Sequence, residues 1–242
     1  MRVASTALVP SVALAVGCGE SSPRLERVRS ASFSLVSATK GFGSCTGRGA
    51  YDFERRLGGL TLDCTKLGGG RVRFREIGDA LYVGAGAGAF PGRKRWIGSR
   101  LPGLPQSIIG FVGGLDPFYG RGPAQMLDYL RSHGHGVSKL GSDRVRGTAT
   151  TRYRGTLPGR PHESLTVTLW VDAVERVRRI RTRYPSGAPL TVTVDLLHFG
   201  VVVRTVAPPR ATVMTDAAYQ AYARKQLKRR TGGLLHVYRS GG

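Results

Sequence analysis

From Leu140 to Pro208 polar and apolar residues alternate with a period of two, and this constrains the fold more than any other feature of the chain. Successive strand side chains point to opposite faces, so such alternation marks half-buried β-strands. Three long antiparallel strands, laid side by side, are predicted. The first runs over 143–154, with Arg144, Arg146, Arg152 and Arg154 on a wet face and Val145, Ala149 and Tyr153 on the other. The second, Leu165–Asp172, turns Leu165, Val167, Leu169 and Val171 to one side. The third, Leu190–Leu196, does the same with Leu190, Val192, Val194 and Leu196.

Upstream the predicted strands are shorter, with the same period of two. Phe33 and Leu35 share one face of an opening strand. Thr46–Phe53 and Leu60–Thr65 form a hairpin that turns within 54–59. Arg71–Arg75 and Ala80–Val83 add two more strands, the former basic on one side and apolar on the other. At least five short strands thus precede the long ones, enough for one strongly curved sheet. With 35 glycines and 13 prolines the chain is turn-rich, and 242 residues of which 40% are hydrophobic can bury a sizeable core. The predicted class is α+β, mainly β.

Between the two strand sets lies an apolar segment too rich in Gly and Pro for a regular element. It holds Trp96-Ile97, Leu101 to Pro105, Ile108 to Val112 and Leu115 to Tyr119, including Phe118. A short helix over Pro123–Arg131 follows, with Pro123 at the favoured first position and Met126, Leu127 and Leu130 on one face. This segment either plugs the open side of the sheet as core or lids a hydrophobic cavity. A second helix, from Asp216 through Leu227, leads into the basic residues Lys225, Lys228, Arg229 and Arg230. Acid first and base last suits the helix dipole.

The first residues carry an address. Arg2 precedes an apolar run, Val3–Gly17, too short for the roughly 20 apolar residues a bilayer span needs. It has the size of a secretory h-region and ends Leu14-Ala15-Val16-Gly17-Cys18-Gly19, which resembles a bacterial lipobox. Two readings stand: lipidation of Cys18, or cleavage after Ala13-Leu14-Ala15 to release a soluble secreted form. The expected organisation is a signal peptide over 1–17, lipidated Cys18 and a tether over 18–29, a binding domain over 30–213, and a basic tail over 214–242. Export permits disulfides. Cys45 and Cys64 flank the first hairpin, and the sequence allows either a bridge between them or two free thiols.

With 37 Lys and Arg against 15 Asp and Glu, the formal charge is +22. Such a field favours anionic partners, such as lipid headgroups or wall polymers. Nucleic acid is not expected, since only the charge would point to it and the export signal argues against it. No nucleophile elbow, phosphate-binding glycine loop or tuned acid pair supports an enzyme, and no cofactor is implied. His133-Gly134-His135 reads as a pair of loop residues rather than as metal ligands.

One further regularity comes from the order of these segments. Val145, Gly147, Thr150 and Tyr153 fit a V-x-G-x-x-T-x-x-Y strand. Val167 to Asp172 with Arg176 to Ile180 follows, then Thr193 to Gly200 and Val206 to Pro209. Asp116-Pro117 followed by Met126, Leu127 and Leu130 matches the helix that precedes them. This order, over residues 30–213, resembles actinobacterial lipoproteins of the LppX/LprG type (LppX_LprAFG), which share a LolA/LolB-like fold. The resemblance implies a half-open antiparallel β-barrel capped by helices around an apolar pocket. It implies a non-enzymatic carrier of lipid or glycolipid in the bacterial envelope, held to the membrane by a diacylglycerol anchor. On that reading Phe33, Leu35, Phe53, Leu62, Phe74, Leu81, Trp96, Phe118, Met126, Leu130, Tyr153, Leu169 and Val192 line the pocket. Arg146 and Arg152 would meet an anionic headgroup.

Overall fold

The computed structural model describes residues 28–65, 70–86, 89–100, 123–158, 164–185 and 189–226. They form one curved twelve-stranded sheet that does not close into a barrel. In chain order the strands are β1 (Ser30–Thr39), β2 (Gly43–Asp52), β3 (Leu57–Asp63), β4 (Arg71–Ile77), β5 (Ala80–Gly84) and β6 (Trp96–Arg100). Helix α1 (Pro123–His133) precedes β7 (His135–Val145), β8 (Thr148–Pro158), β9 (Ser164–Val171), β10 (Val177–Tyr184), β11 (Leu190–Phe199) and β12 (Val213–Thr215). Helix α2 covers 216–226. The order across the sheet is β12-β6-β5-β4-β3-β2-β1-β11-β10-β9-β8-β7, so two antiparallel meanders meet where β1 pairs with β11.

Opposed residues of antiparallel strands share a face. Leu35, Val194, Ile180, Leu169 and Tyr153 therefore form one transverse row, which continues from Leu35 through Gly47 and Leu62 to Val72. One residue away, Ser34, Asp195, Arg179, Trp170 and Arg152 form a row on the other face. That row extends from Ser34 through Arg48, Thr61, Arg73 and Gly84 to Trp96. The sheet thus has an apolar face and an arginine face. The predicted alternation of β1, β4, β9 and β11 is the cause.

Four expectations are corrected. The segment 143–154 is not one strand but the end of β7, a turn and the start of β8. Arg146 and Gly147 both take positive φ, 49° and 83°, as a two-residue hairpin turn demands. The strands β9 and β11 are not neighbours, because β10 lies between them. A register shift between Val177 and Arg179 breaks the period of β10, so Arg178 and Arg179 are adjacent yet only half buried. Trp96-Ile97 opens a regular strand, β6, and His135 opens β7, while His133 closes α1 with its ring stacked on Tyr129 at 4.5 Å.

Cys45 and Cys64 are disulfide-bonded, on β2 and at the end of β3, with Cα atoms 4.4 Å apart. That matches the spacing of about 4.5 Å between non-hydrogen-bonded antiparallel partners. They follow directly on the Thr46–Asp63 pair, so the register itself brings them together.

The final strand arrives by an unusual route. β12 pairs parallel to β6, which requires a crossover. Its last stretch, residues 201–209, runs across the arginine face as an extended strap, and a short 3-10 turn over Arg210–Thr212 leads into β12. Ser30 donates its hydroxyl to the Val201 carbonyl at 2.7 Å, and the Arg75 guanidinium donates to the Val206 carbonyl at 2.9 Å. At the far end the Lys94 ammonium donates to the carbonyls of Ala211 and Val213, at 3.0 and 2.7 Å. Thr215 then caps α2, its hydroxyl accepting the Ala218 N–H at 3.3 Å. Tyr219 and Tyr222 of α2 pack against Phe90, Ile97 and Met214 in a small second core.

Candidate functional site

The apolar face is one contiguous cluster that reaches from β4 through β1 to β8. Phe33, Leu35, Leu62, Phe74, Met126, Leu130, Leu169 and Val192 are all buried within it, and Phe53 and Tyr153 pack on its margin. Leu81 is buried on the same side by register, opposite Glu76 and next but one to Val83. Helix α1 brings Met126, Leu127 and Leu130 onto the sheet over β8 and β10. Glycine makes this approach possible: a Cβ at Gly155 would stand 2.9 Å from a Leu130 methyl. Phe118 and Cys18 lie outside the described residues, as do the signal segment and Lys228 to Arg230.

Trp96 does not join the other apolar residues expected to line a pocket. Its row places it on the arginine face, where the indole lies across Gly84 and beneath Arg73 and Arg75, at 4.9 and 4.6 Å. It is buried, with two guanidinium groups over its ring. The mirror arrangement occurs at Trp170, under Arg179 and Arg181 at 5.7 and 5.3 Å. A guanidinium stacks well on an aromatic face, so each tryptophan shields a pair of like charges spaced two residues apart.

Arg146 and Arg152 also stand on the arginine face, each committed to a carboxylate. Arg146 lies 3.4 Å from Asp195, and Arg152 lies 3.8 Å from Asp143. Neither stands beside the apolar cluster, so the expected pairing of acyl pocket and arginine rim does not form at these two positions. Three carboxylates organise this face. Asp195 receives Arg179 in bidentate fashion, at 2.5 and 2.8 Å. Asp143 accepts the Trp170 indole N–H at 2.9 Å. Asp172 accepts the N–H groups of Val174 and Arg176 with one oxygen, and the Arg176 and Arg178 guanidinium groups with the other. That fourfold satisfaction fixes the β9–β10 turn, where Glu175 has φ of 58°.

Burial pushes the carboxyls of Asp172 and Asp195 up, and their hydrogen bonds outweigh it. For Asp172 these come from the Arg176 backbone and the Arg178 and Arg176 side chains, and for Asp195 from Arg179 and Arg146. Both groups titrate below the ordinary carboxylate value of 3.8. A depressed folded-state pKa adds stability above the unfolded-state value and loses it as pH falls through the folded-state value. The melting temperature is therefore expected to stay level down to about pH 5 and to fall steeply below about pH 4. Asp195→Asn should flatten that fall; an unchanged acid limb would show that Asp195 carries no linkage.

Among the described residues no group of three His, Cys, Asp or Glu side chains is placed to hold a metal ion, and no helix is long and apolar enough to cross a membrane. No family model matches the chain, and no curated protein sequence matches it. Solved structures do resemble it in fold. The lipoprotein LppX of Mycobacterium tuberculosis is 17% identical, with a TM-score of 0.44 over 74% of this chain and 90% of that one. LprF of Mycobacterium bovis is 16% identical, with a TM-score of 0.43 over 74% and 89%. A LolA superfamily protein of Nitrosomonas europaea is 8% identical, with a TM-score of 0.28 over 74% and 86%.

Proposed function

We propose that the protein is an exported, membrane-anchored lipoprotein that binds a lipid or glycolipid on the apolar side of its sheet, for transport or presentation in the bacterial cell envelope. The observation that carries this reading is the segregation of the two faces. The apolar residues of β1, β3, β4, β9 and β11 share one side with α1, and the strand arginines share the other, except Arg144, which stands opposite Ala149. Such a sheet offers acyl chains a continuous cluster of apolar residues. Turning its arginines outward lets the same domain work against an anionic membrane surface. No chemistry is required of it.

The anchor rests on the sequence at Leu14 to Gly19. Fractionation of cells that make the full chain tests it. Wild type is expected in the membrane fraction, and Cys18→Ser in the soluble exported fraction. Soluble wild type of a mass corresponding to cleavage after Ala15 would replace the anchored form with a secreted one.

One observation favours a second reading, a structural or interaction lipoprotein with a filled core. Leu130, Val167, Leu169, Ile180 and Val194 have no exposed surface. On that reading the apolar face is spent on packing, and the purified protein carries no lipid.

A further inference from the structure

The arginine face contains a cleft of about 260 Å³ between β2, β3, β4 and the strap. Four guanidinium groups line it: Arg48 of β2, Arg73 and Arg75 of β4, and Arg204 of the strap. Elsewhere on this face several arginines meet carboxylates, as Arg146, Arg152, Arg176, Arg178 and Arg179 do, while Arg154, Arg181 and Arg183 stand apart from one another without an ion pair among the described residues. Here, among the described residues, none of the four is in an ion pair. Converging like charges raise the local potential, and an anion relieves it.

The cleft is also shaped for a ligand. Arg73 and Arg75 are held on Trp96, and Arg75 is fixed further by its bond to the Val206 carbonyl, so their remaining donors are oriented before anything binds. Gly59 leaves open the space where β3 passes under the strap. A Cβ there would stand 3.5 Å from the Phe74 carbonyl and 3.6 Å from the Thr205 hydroxyl. The volume is slightly below the range of about 300–1,000 Å³ usual for drug-sized ligands, which suits a headgroup-sized anion rather than an acyl chain. Guanidinium forks match phosphate oxygens in geometry and charge.

We propose that this cleft is a binding site for a phosphate ester, separate from the apolar face and independent of whether that face holds lipid. The ester is either a free sugar- or glycerol-type phosphate or the phosphate of a lipid headgroup. Calorimetry with glycerol 3-phosphate, and flotation with phosphatidylcholine vesicles with and without phosphatidic acid, tell the two sources apart. Both are done on the full chain at physiological salt.

Saturable one-to-one binding of glycerol 3-phosphate assigns the free ester. Flotation with phosphatidic acid, without binding of the soluble probe, assigns the headgroup. In either arm Arg48→Gln/Arg204→Gln is expected to weaken binding at least about tenfold, as loss of charge-assisted hydrogen bonds does. Gly59→Val removes no charge but fills the cleft, and should weaken binding to a similar degree. Arg144→Gln/Arg154→Gln removes the same charge from β7 and β8 and should change it less than about twofold. Equal losses in the two arginine pairs would mean that the probe senses only the +22 field, and the site would be refuted. Failure of both probes to bind would refute it as well.

Discussion

Leu169→Asp is expected to abolish the fold, while Thr168→Asp, one residue earlier, leaves it standing. Leu169 has no exposed surface and sits in register between Tyr153 and Ile180 on the apolar face. An aspartate there loses the leucine's packing and buries a carboxylate with no partner. The loss of burial alone costs about 2–5 kcal/mol, and the stranded charge brings the total near the whole stability of a domain, about 5–15 kcal/mol. Thr168 is also buried, but it faces the other way, opposite Arg154 and Arg181. A carboxylate at that position meets guanidinium groups on both neighbouring strands. Circular dichroism and thermal melting of the two variants report the contrast. Loss of structure in both, or in neither, would contradict the two-faced assignment of β9.

The second large effect belongs to the disulfide. Cys45 and Cys64 close a loop with a separation of 19 residues. In the chain-entropy picture a bridge of that span constrains the unfolded state by about 3 kcal/mol. The double variant Cys45→Ala/Cys64→Ala should therefore melt about 6–12 °C lower, at about 2–4 °C per kcal/mol for a domain of this size. Reductant should bring wild type to the same temperature, and Cys18→Ser should leave it unmoved. A reduced wild type that melts like the oxidised one would show that the β2–β3 pairing holds equally well without the bond.

These effects trace how far the sequence is legible. β9 and β11 were readable because alternation holds from Leu165 to Leu169 and from Leu190 to Leu196, and their parity gives Leu169 and Val192 their places in the core. Helix α1 was readable from Pro123 and from the spacing of Met126, Leu127 and Leu130. β10 was not, because its bulge sets two arginines side by side where alternation requires one. The β7–β8 turn was hidden by Arg146, a residue seldom found at positive φ, so the strands on either side read as one. Trp96 was assigned by hydrophobicity to the apolar side. Only the register through Gly84 and Arg73 reveals it as a platform for guanidinium groups. The phosphate cleft had no local signal at all. It depends on a strap that brings Arg204 across to Arg48, Arg73 and Arg75, which are far from it in the chain. Alternating arginines give such a site its raw material, but only the crossover to a parallel edge strand encloses it.

The central claim, that the apolar side of the sheet holds a lipid, is tested most directly by native mass spectrometry of the full chain purified from a bacterial host, followed by organic extraction. One lipid per protein, identified in the extract and absent from a protein stripped by denaturation, is the predicted result. A clean protein mass that stays clean after incubation with phospholipids would contradict it and leave the apolar cluster as a filled core.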